Sequence, residues 1–105
     1  MTTSTNRLEI ANTILSQLGG AKRLAMMTGS KSFVALESGV SFKLGKGASN
    51  GINHVRVELT ADDLYTVTFL RVWGTKVTTK SQTVGAYSDM LVSLFESATG
   101  FFLTF

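Results

Sequence analysis

The chain has no cysteine and no proline, and only one of its 105 residues is histidine. Without cysteine the protein has neither a disulfide scaffold nor a thiolate metal site. A single histidine cannot hold zinc unless cysteines or several carboxylates accompany it, so we expect no metal. No continuous apolar run approaches the length of a membrane span. We predict one domain over residues 1–105, with a core drawn from the 44% of residues that are hydrophobic.

Reactive constellations are also missing. No serine or threonine lies in a nucleophile-elbow pattern. The glycine-rich run at residues 45–51 carries its lysine too early for a phosphate-binding P-loop, and a strand pattern follows it. The neighbours Asp62 and Asp63 are turn residues, too few for a hard cation, and Asp89 and Glu96 fit a solvated helix face. We therefore predict a protein that is not an enzyme and needs no cofactor.

The beginning of the chain bears on location. The first six residues lack the charged and then apolar layout of a signal peptide. We therefore expect a cytoplasmic protein with no membrane partner.

Two neighbouring runs, residues 54–60 and 64–69, alternate polar and apolar side chains. Period-two alternation is typical of a strand with one buried and one wet face. Residues 61–63 between them are of turn type, so the pair predicts a β-hairpin. Other segments predict further strands, and the second hairpin strand could run on to Trp73. These segments are residues 22–28 (with Leu24 and Met26 on one side), 32–37, 40–44 and a short run at 76–80.

Helical patterns flank these strands. Asn6 and Glu9 form a possible capping box ahead of an apolar stripe that ends at Gly19. A second stripe runs from Tyr87 to Ala98, and its helix could begin at either Ser88 or Thr83. We predict an α+β fold, with a four- or five-stranded antiparallel sheet and an N-terminal and a C-terminal helix packed on one face. The predicted core contains Leu15, Leu18, Phe33, Phe42, Val55, Val57, Leu59, Val67, Phe69, Leu91, Leu94 and Phe95.

The positive charge is concentrated in the strand-rich middle of the chain. Residues 22–80 contain nine of the ten lysines and arginines and only four acidic residues. The last 25 residues contain two acidic residues and no basic ones. This distribution fits an anionic partner, and it also fits a solvated sheet face whose basic residues confer solubility, which charge alone favours slightly.

The predicted binding surface is the wet face of the sheet, with one aromatic side chain. Tyr65 and Phe69 fit the core. Trp73 lies near the basic residue Arg71 and just before a turn, where it could stack on a nucleobase or anchor a partner. His54 fits a surface strand position, with a contact to a phosphate or a base as the second interpretation. The predicted binding residues are Lys43, Lys46, Arg56, Arg71, Trp73 and Lys76.

The C-terminal segment predicts self-association. Four of its last five residues are apolar, and a disordered tail would rarely have this composition. We expect Phe101, Phe102 and Phe105 to be buried on the domain itself or on a partner, and we predict a homodimer.

Three stretches together resemble a family of small proteins carried by phages, prophages and plasmids. The stretches are residues 26–33, the hairpin runs at 51–59 and 63–69, and the C-terminal pattern of Tyr87, Leu91, Phe95, Thr99 and Gly100. The resemblance covers about residues 14–100. It implies an origin in a mobile element, and it implies no catalytic residues.

The order of elements, several strands and then a helix, also resembles PC4-like transcription coactivators and whirly domains, which bind single-stranded nucleic acid as oligomers. The helix at the beginning of the chain departs from the PC4-like layout. Two functional hypotheses result. The first is a binder of single-stranded DNA or RNA through the basic sheet face, with salt-sensitive affinity. The alternative is a protein-binding inhibitor of a host pathway, such as an anti-defence or anti-CRISPR-type factor.

Overall fold

The described part of the protein forms one five-stranded antiparallel sheet and three α-helices. The computed structural model describes residues 3–45, 48 and 51–101. In chain order the elements are α1 (Thr3–Gln17), α2 (Ala21–Thr28), β1 (Lys31–Ala35), β2 (Gly39–Lys43), β3 (His54–Leu59), β4 (Tyr65–Trp73), β5 (Lys76–Ala86), a 3-10 turn (Ser88–Met90) and α3 (Leu91–Thr99).

Each strand of the sheet pairs with its neighbour in sequence, so the spatial order is β1-β2-β3-β4-β5. The predicted hairpin is confirmed as β3 and β4, with Val55 opposite Phe69 and Val57 opposite Val67. Because opposite residues share a face, these four apolar side chains point to the same side. We call this side the inner face, and the side that carries Arg56 the outer face.

The helices pack against the inner face of the sheet. Phe95 of α3 lies with its ring centroid 6.4 Å from those of both Phe42 and Phe69. Ile14 of α1 joins the same buried cluster, and so do Leu18, which directly follows α1, and Leu24 of α2. The predicted α+β class, antiparallel sheet and flanking helices are confirmed.

The predicted strand over residues 22–28 is wrong, because this segment is the helix α2. Its composition of alanine, leucine, methionine and bases suits a helix, and a short apolar run does not distinguish the two structures. The prediction placed Leu24 and Met26 on one side. Leu24 is instead fully buried, whereas Met26 is 76% exposed. Gly29 ends the helix in the left-handed conformation, and its N–H donates to the Ala25 carbonyl.

Several predicted boundaries also differ. β5 continues to Ala86 rather than ending at residue 80, so Thr83 is a strand residue and cannot begin the last helix. Two register shifts against β4 let this long strand follow its neighbour. Tyr87 lies ahead of α3 and is 62% exposed, so it does not belong to the buried stripe. α1 begins at Thr3, ahead of the proposed cap Asn6.

The predicted core is confirmed in most of its members. Phe33, Leu59 and Leu94 are only partly buried, although all three pack against the buried cluster. These three lie on an edge strand, at a strand end and on the flank of a helix, where neighbours cover one side only. None of the helices within the described ranges has the combined length and hydropathy needed to cross a lipid bilayer.

Phe95→Ala should lower the free energy of unfolding by about 3–5 kcal/mol, because it removes a ring in contact with two other buried rings. Val84→Ala is the control and should change it by less than about 0.5 kcal/mol, since Val84 is 72% exposed. Urea unfolding followed by circular dichroism measures both values. Equal effects of the two substitutions would contradict the described core.

Candidate functional site

The register brings basic residues to one end of the sheet. Lys31 of β1 lies opposite Lys43 of β2, which lies opposite His54 of β3. Beyond this row β4 continues through Arg71 to Trp73, and Trp73 lies opposite Lys76 at the start of β5. We call this end, with Lys31, Lys43, Arg71, Trp73 and Lys76, the cationic end.

Acidic residues lie at the opposite end. Glu37 is in the turn between β1 and β2, and Glu58 is the next-to-last residue of β3. The turn between β3 and β4 contributes Asp62 and Asp63, and Asp89 follows the end of β5. Charge is therefore separated along the strand direction. The linear sequence hides this separation, because antiparallel strands fold distant residues back to the same end.

An open cavity of about 460 Å³ lies at the cationic end, and its lining includes the inner-face residues Arg71 and Trp73. Leu44, Ala48 and Ile52 give it an apolar floor, and Lys31, Arg71 and Trp73 supply charge and an aromatic surface. Among the residues that the structure describes, its lining includes no carboxylate. The cavity thus combines apolar surface with positive charge, which suits a planar anionic group such as a nucleotide.

Trp73 and Arg71 form one unit at the mouth of this cavity. The Arg71 guanidinium carbon lies 5.4 Å from the centroid of the Trp73 ring, a cation–π distance. Trp73 is still 70% exposed, so most of the indole remains open to a ligand. Gly51 adopts a φ of +72°, and a Cβ there would lie 2.5 Å from Arg71 Nη1. Glycine at this position leaves space for the arginine side chain.

Asn53 fixes the end of β4 that carries both residues. Its Nδ2 donates to the Val72 carbonyl at 2.9 Å, and its Oδ1 accepts from the Val72 N–H at 2.7 Å. The side-chain amide thereby imitates a backbone partner and continues the ladder one step past His54. Val72 is the residue between Arg71 and Trp73, so this clamp orients both side chains.

Gly29 and Gly45 also line the cavity, and their backbones lie in close contact. The Gly45 N–H donates to the Thr28 carbonyl at 2.9 Å, and a Cβ on Gly45 would lie at the same distance from that oxygen. The Thr28 hydroxyl also donates to the Leu24 carbonyl at 2.6 Å, and it pairs with the Ser30 hydroxyl. The end of α2 is thus joined to the end of β2.

The structure divides the predicted binding residues between the two faces. Arg71, Trp73 and Lys76 belong to the inner-face side of the cationic end, whereas Lys43 and Arg56 lie on the outer face. The prediction of a single basic face therefore needs revision, because Arg71 and Trp73 are exposed on the inner-face side of β4. Lys46 lies outside the described residues.

The residues predicted for self-association give limited information. Phe101 is partly buried and packs against the protein's own core cluster. Phe102 and Phe105 lie outside the described residues. The homodimer stays a prediction.

Sequence reasoning missed Lys31 and Asn53 at this site. Lys31 is one of the basic residues of the strand-rich middle, and the sequence does not reveal its cross-strand partner Lys43, because that pairing depends on the register of β1 and β2. Asn53 gave a weak signal, as an amide residue between a glycine-rich run and a strand. The clamp partner of Asn53 is nineteen positions away, so no local pattern reports it.

No group of three or more histidine, cysteine or acidic side chains within the described ranges is arranged to hold a metal ion. Comparisons with protein-family models, curated proteins and solved structures find no match for this chain. A functional assignment therefore depends on the geometry and charge of the cationic end.

Asn53→Ala should free the Val72 N–H and carbonyl, so the Val72 amide should exchange with solvent at least about tenfold faster. Hydrogen exchange followed by NMR measures this rate. Gln82→Ala is the matched control, since the Gln82 amide donates only to the Thr68 hydroxyl. An unchanged Val72 rate in Asn53→Ala would contradict the clamp.

Proposed function

We propose that the protein binds single-stranded nucleic acid at the cationic end, without catalysing a reaction. The observation that carries the proposal is the exposed Trp73 with Arg71 against its ring, beside a cavity that Lys31 also lines. Proteins that bind single strands combine aromatic surfaces, on which bases stack, with basic grooves that follow the phosphates.

The open indole suits one base, and the cations around it suit the adjoining phosphates. Trp73 supplies a flat apolar surface, and stacking on it needs no particular base because every base has a π face. Arg71 and Lys31 line the same cavity as Trp73, and Lys76 is the cross-strand partner of Trp73, so these cations are available to the phosphates of a stacked nucleotide. The predicted preference is therefore for single strands with little sequence selectivity.

The opposite end of the sheet supports an oriented approach. Glu37, Glu58 and the acidic hairpin turn would repel phosphates, so the two ends of the molecule differ in sign. A polyanion approaching this dipole meets the cationic end first. The resemblance of the layout to PC4-like and whirly domains agrees with a nucleic-acid partner and adds no residue to the site.

Titration with an oligothymidylate of about ten nucleotides tests the proposal, because the chain contains one tryptophan and its fluorescence reports on Trp73 alone. We expect quenching on binding, with a Kd that rises steeply with salt. Fluorescence anisotropy of a labelled strand measures the variants. Trp73→Ala should weaken binding by about 1–3 kcal/mol, and Arg71→Ala should reduce the salt slope by about one.

Two control variants match these changes. Tyr87→Ala removes an exposed aromatic ring from the acidic end, and Lys22→Ala removes one charge from the first turn of α2. Both should bind like the unaltered protein. Absence of binding at low salt would contradict the proposal and direct attention to the alternative, a host protein as partner. Binding that survives Trp73→Ala and Arg71→Ala unchanged would show that this surface is not the one used.

A further inference from the structure

A second group of basic side chains lies on the outer face, the side of the sheet opposite to that of the Trp73 side chain. Lys43 of β2 is directly opposite His54 of β3, and Arg56 follows two residues along the same strand face. Directly opposite residues have Cβ atoms about 4.5–5.5 Å apart, and residues two apart on a strand are also neighbours. The three side chains therefore form one cluster, which we call the outer-face triad.

A hollow of about 340 Å³ adjoins two members of the triad, because Lys43 and His54 contribute to its lining together with Val72 and Gly74, whereas Arg56 lies outside the lining. The described part of that lining contains no carboxylate. Ser41 and Thr68, the cross-strand neighbours of Arg56, are small and buried, so the arginine stands above them and is exposed. The hollow is open, polar and basic, and it has room for one tetrahedral anion.

The surroundings of His54 explain its charge state. Burial lowers its pKa most, followed by the positive charges of Arg56 on β3 and Lys43 on β2. From β4 it faces the apolar Leu70, and the next position in that row, on β5, is the uncharged Thr79. Glu58, the carboxylate on the same strand face, lies four residues away beyond Arg56. Burial and the two neighbouring cations therefore both disfavour the protonated form of His54.

We propose that the outer-face triad is a binding site for a phosphate group, and that His54 takes up a proton when the phosphate binds. An anion bound by Lys43 and Arg56 offsets the repulsion that these two cations exert on a protonated His54. The anion also accepts a hydrogen bond from the imidazolium N–H, which is then the third donor of the site. The proton comes from solvent, and no covalent bond is made or broken. The phosphate can belong to a nucleic-acid strand or be free, and the site does not require Trp73.

Linkage sets the direction of the pH effect. A ligand that raises the pKa of His54 binds the protonated protein more tightly, so its affinity increases as the pH falls through the range between the free and bound pKa values. Each unit by which the pKa rises corresponds to about a tenfold gain in affinity. His54→Gln should remove this pH dependence and keep the pH-independent part supplied by Lys43 and Arg56.

NMR titration of the imidazole tests the proposal, because the chain has one histidine and its signals need no separation from others. The pKa of His54 is measured without added anion, with inorganic phosphate, and with an oligothymidylate of about ten nucleotides. A rise in the pKa of His54 with inorganic phosphate and also with the oligonucleotide supports a site for the phosphate group itself. A rise with the oligonucleotide alone supports a site for the nucleic-acid backbone. No rise with either addition overturns the proposal.

Matched variants separate this site from the proposed function. Lys43→Gln and Arg56→Gln should each reduce the ligand-induced rise, and Lys22→Gln, the same charge change on α2, should leave it intact. An undiminished rise in the double variant Lys43→Gln/Arg56→Gln would overturn the triad. Quenching of Trp73 by the oligonucleotide is recorded in the same samples. A rise in the pKa of His54 without quenching of Trp73 supports the triad and contradicts the Trp73 surface. Quenching with no rise in that pKa in either titration supports the Trp73 surface and contradicts the triad.

Discussion

The register between β3 and β4 is the constraint on which the rest of the structure depends. Val55 opposite Phe69 and Val57 opposite Val67 place one apolar surface under the helices. A slip of a single residue would turn His54 and Arg56 into the core and expose the valines. Because burial of each apolar side chain contributes about 1.5–3 kcal/mol, the alternation holds this register firmly. The same register decides which charged residues become neighbours.

Charge separation follows from that register together with the turn positions. The acidic residues at 37, 58, 62 and 63 lie at or beside turns at one end, and Lys31, Lys43 and Lys76 begin or end strands at the other. No pair of these basic residues is adjacent in sequence. The antiparallel order of the strands makes them neighbours. The same order leaves Trp73 at this end of the sheet, where its side chain is exposed.

The sequence was most informative where physical signals are local. Alternation identified the β3–β4 hairpin, and the apolar stripe with Gly100 behind it identified α3. The sequence did not predict α2, because the spacing of leucine and methionine over eight residues fits a helix as well as a strand. In the structure Leu24 is buried and Met26 is exposed. Trp73 was correctly separated from the core aromatics by its neighbours. The Asn53 clamp and the opposition of Lys43 to His54 could not be predicted, because both depend on pairing between distant segments.

Chemical-shift mapping of backbone amides during titration with a single-stranded oligonucleotide tests the central claim most directly. The account predicts changes confined to the cationic end, at the beginning of β1, the end of β2, the beginning of β3 and the turn between β4 and β5. The amides of the acidic end, around residues 36–39 and 60–64, should stay unchanged. Changes centred on the acidic end, or spread evenly over both ends, would contradict the account.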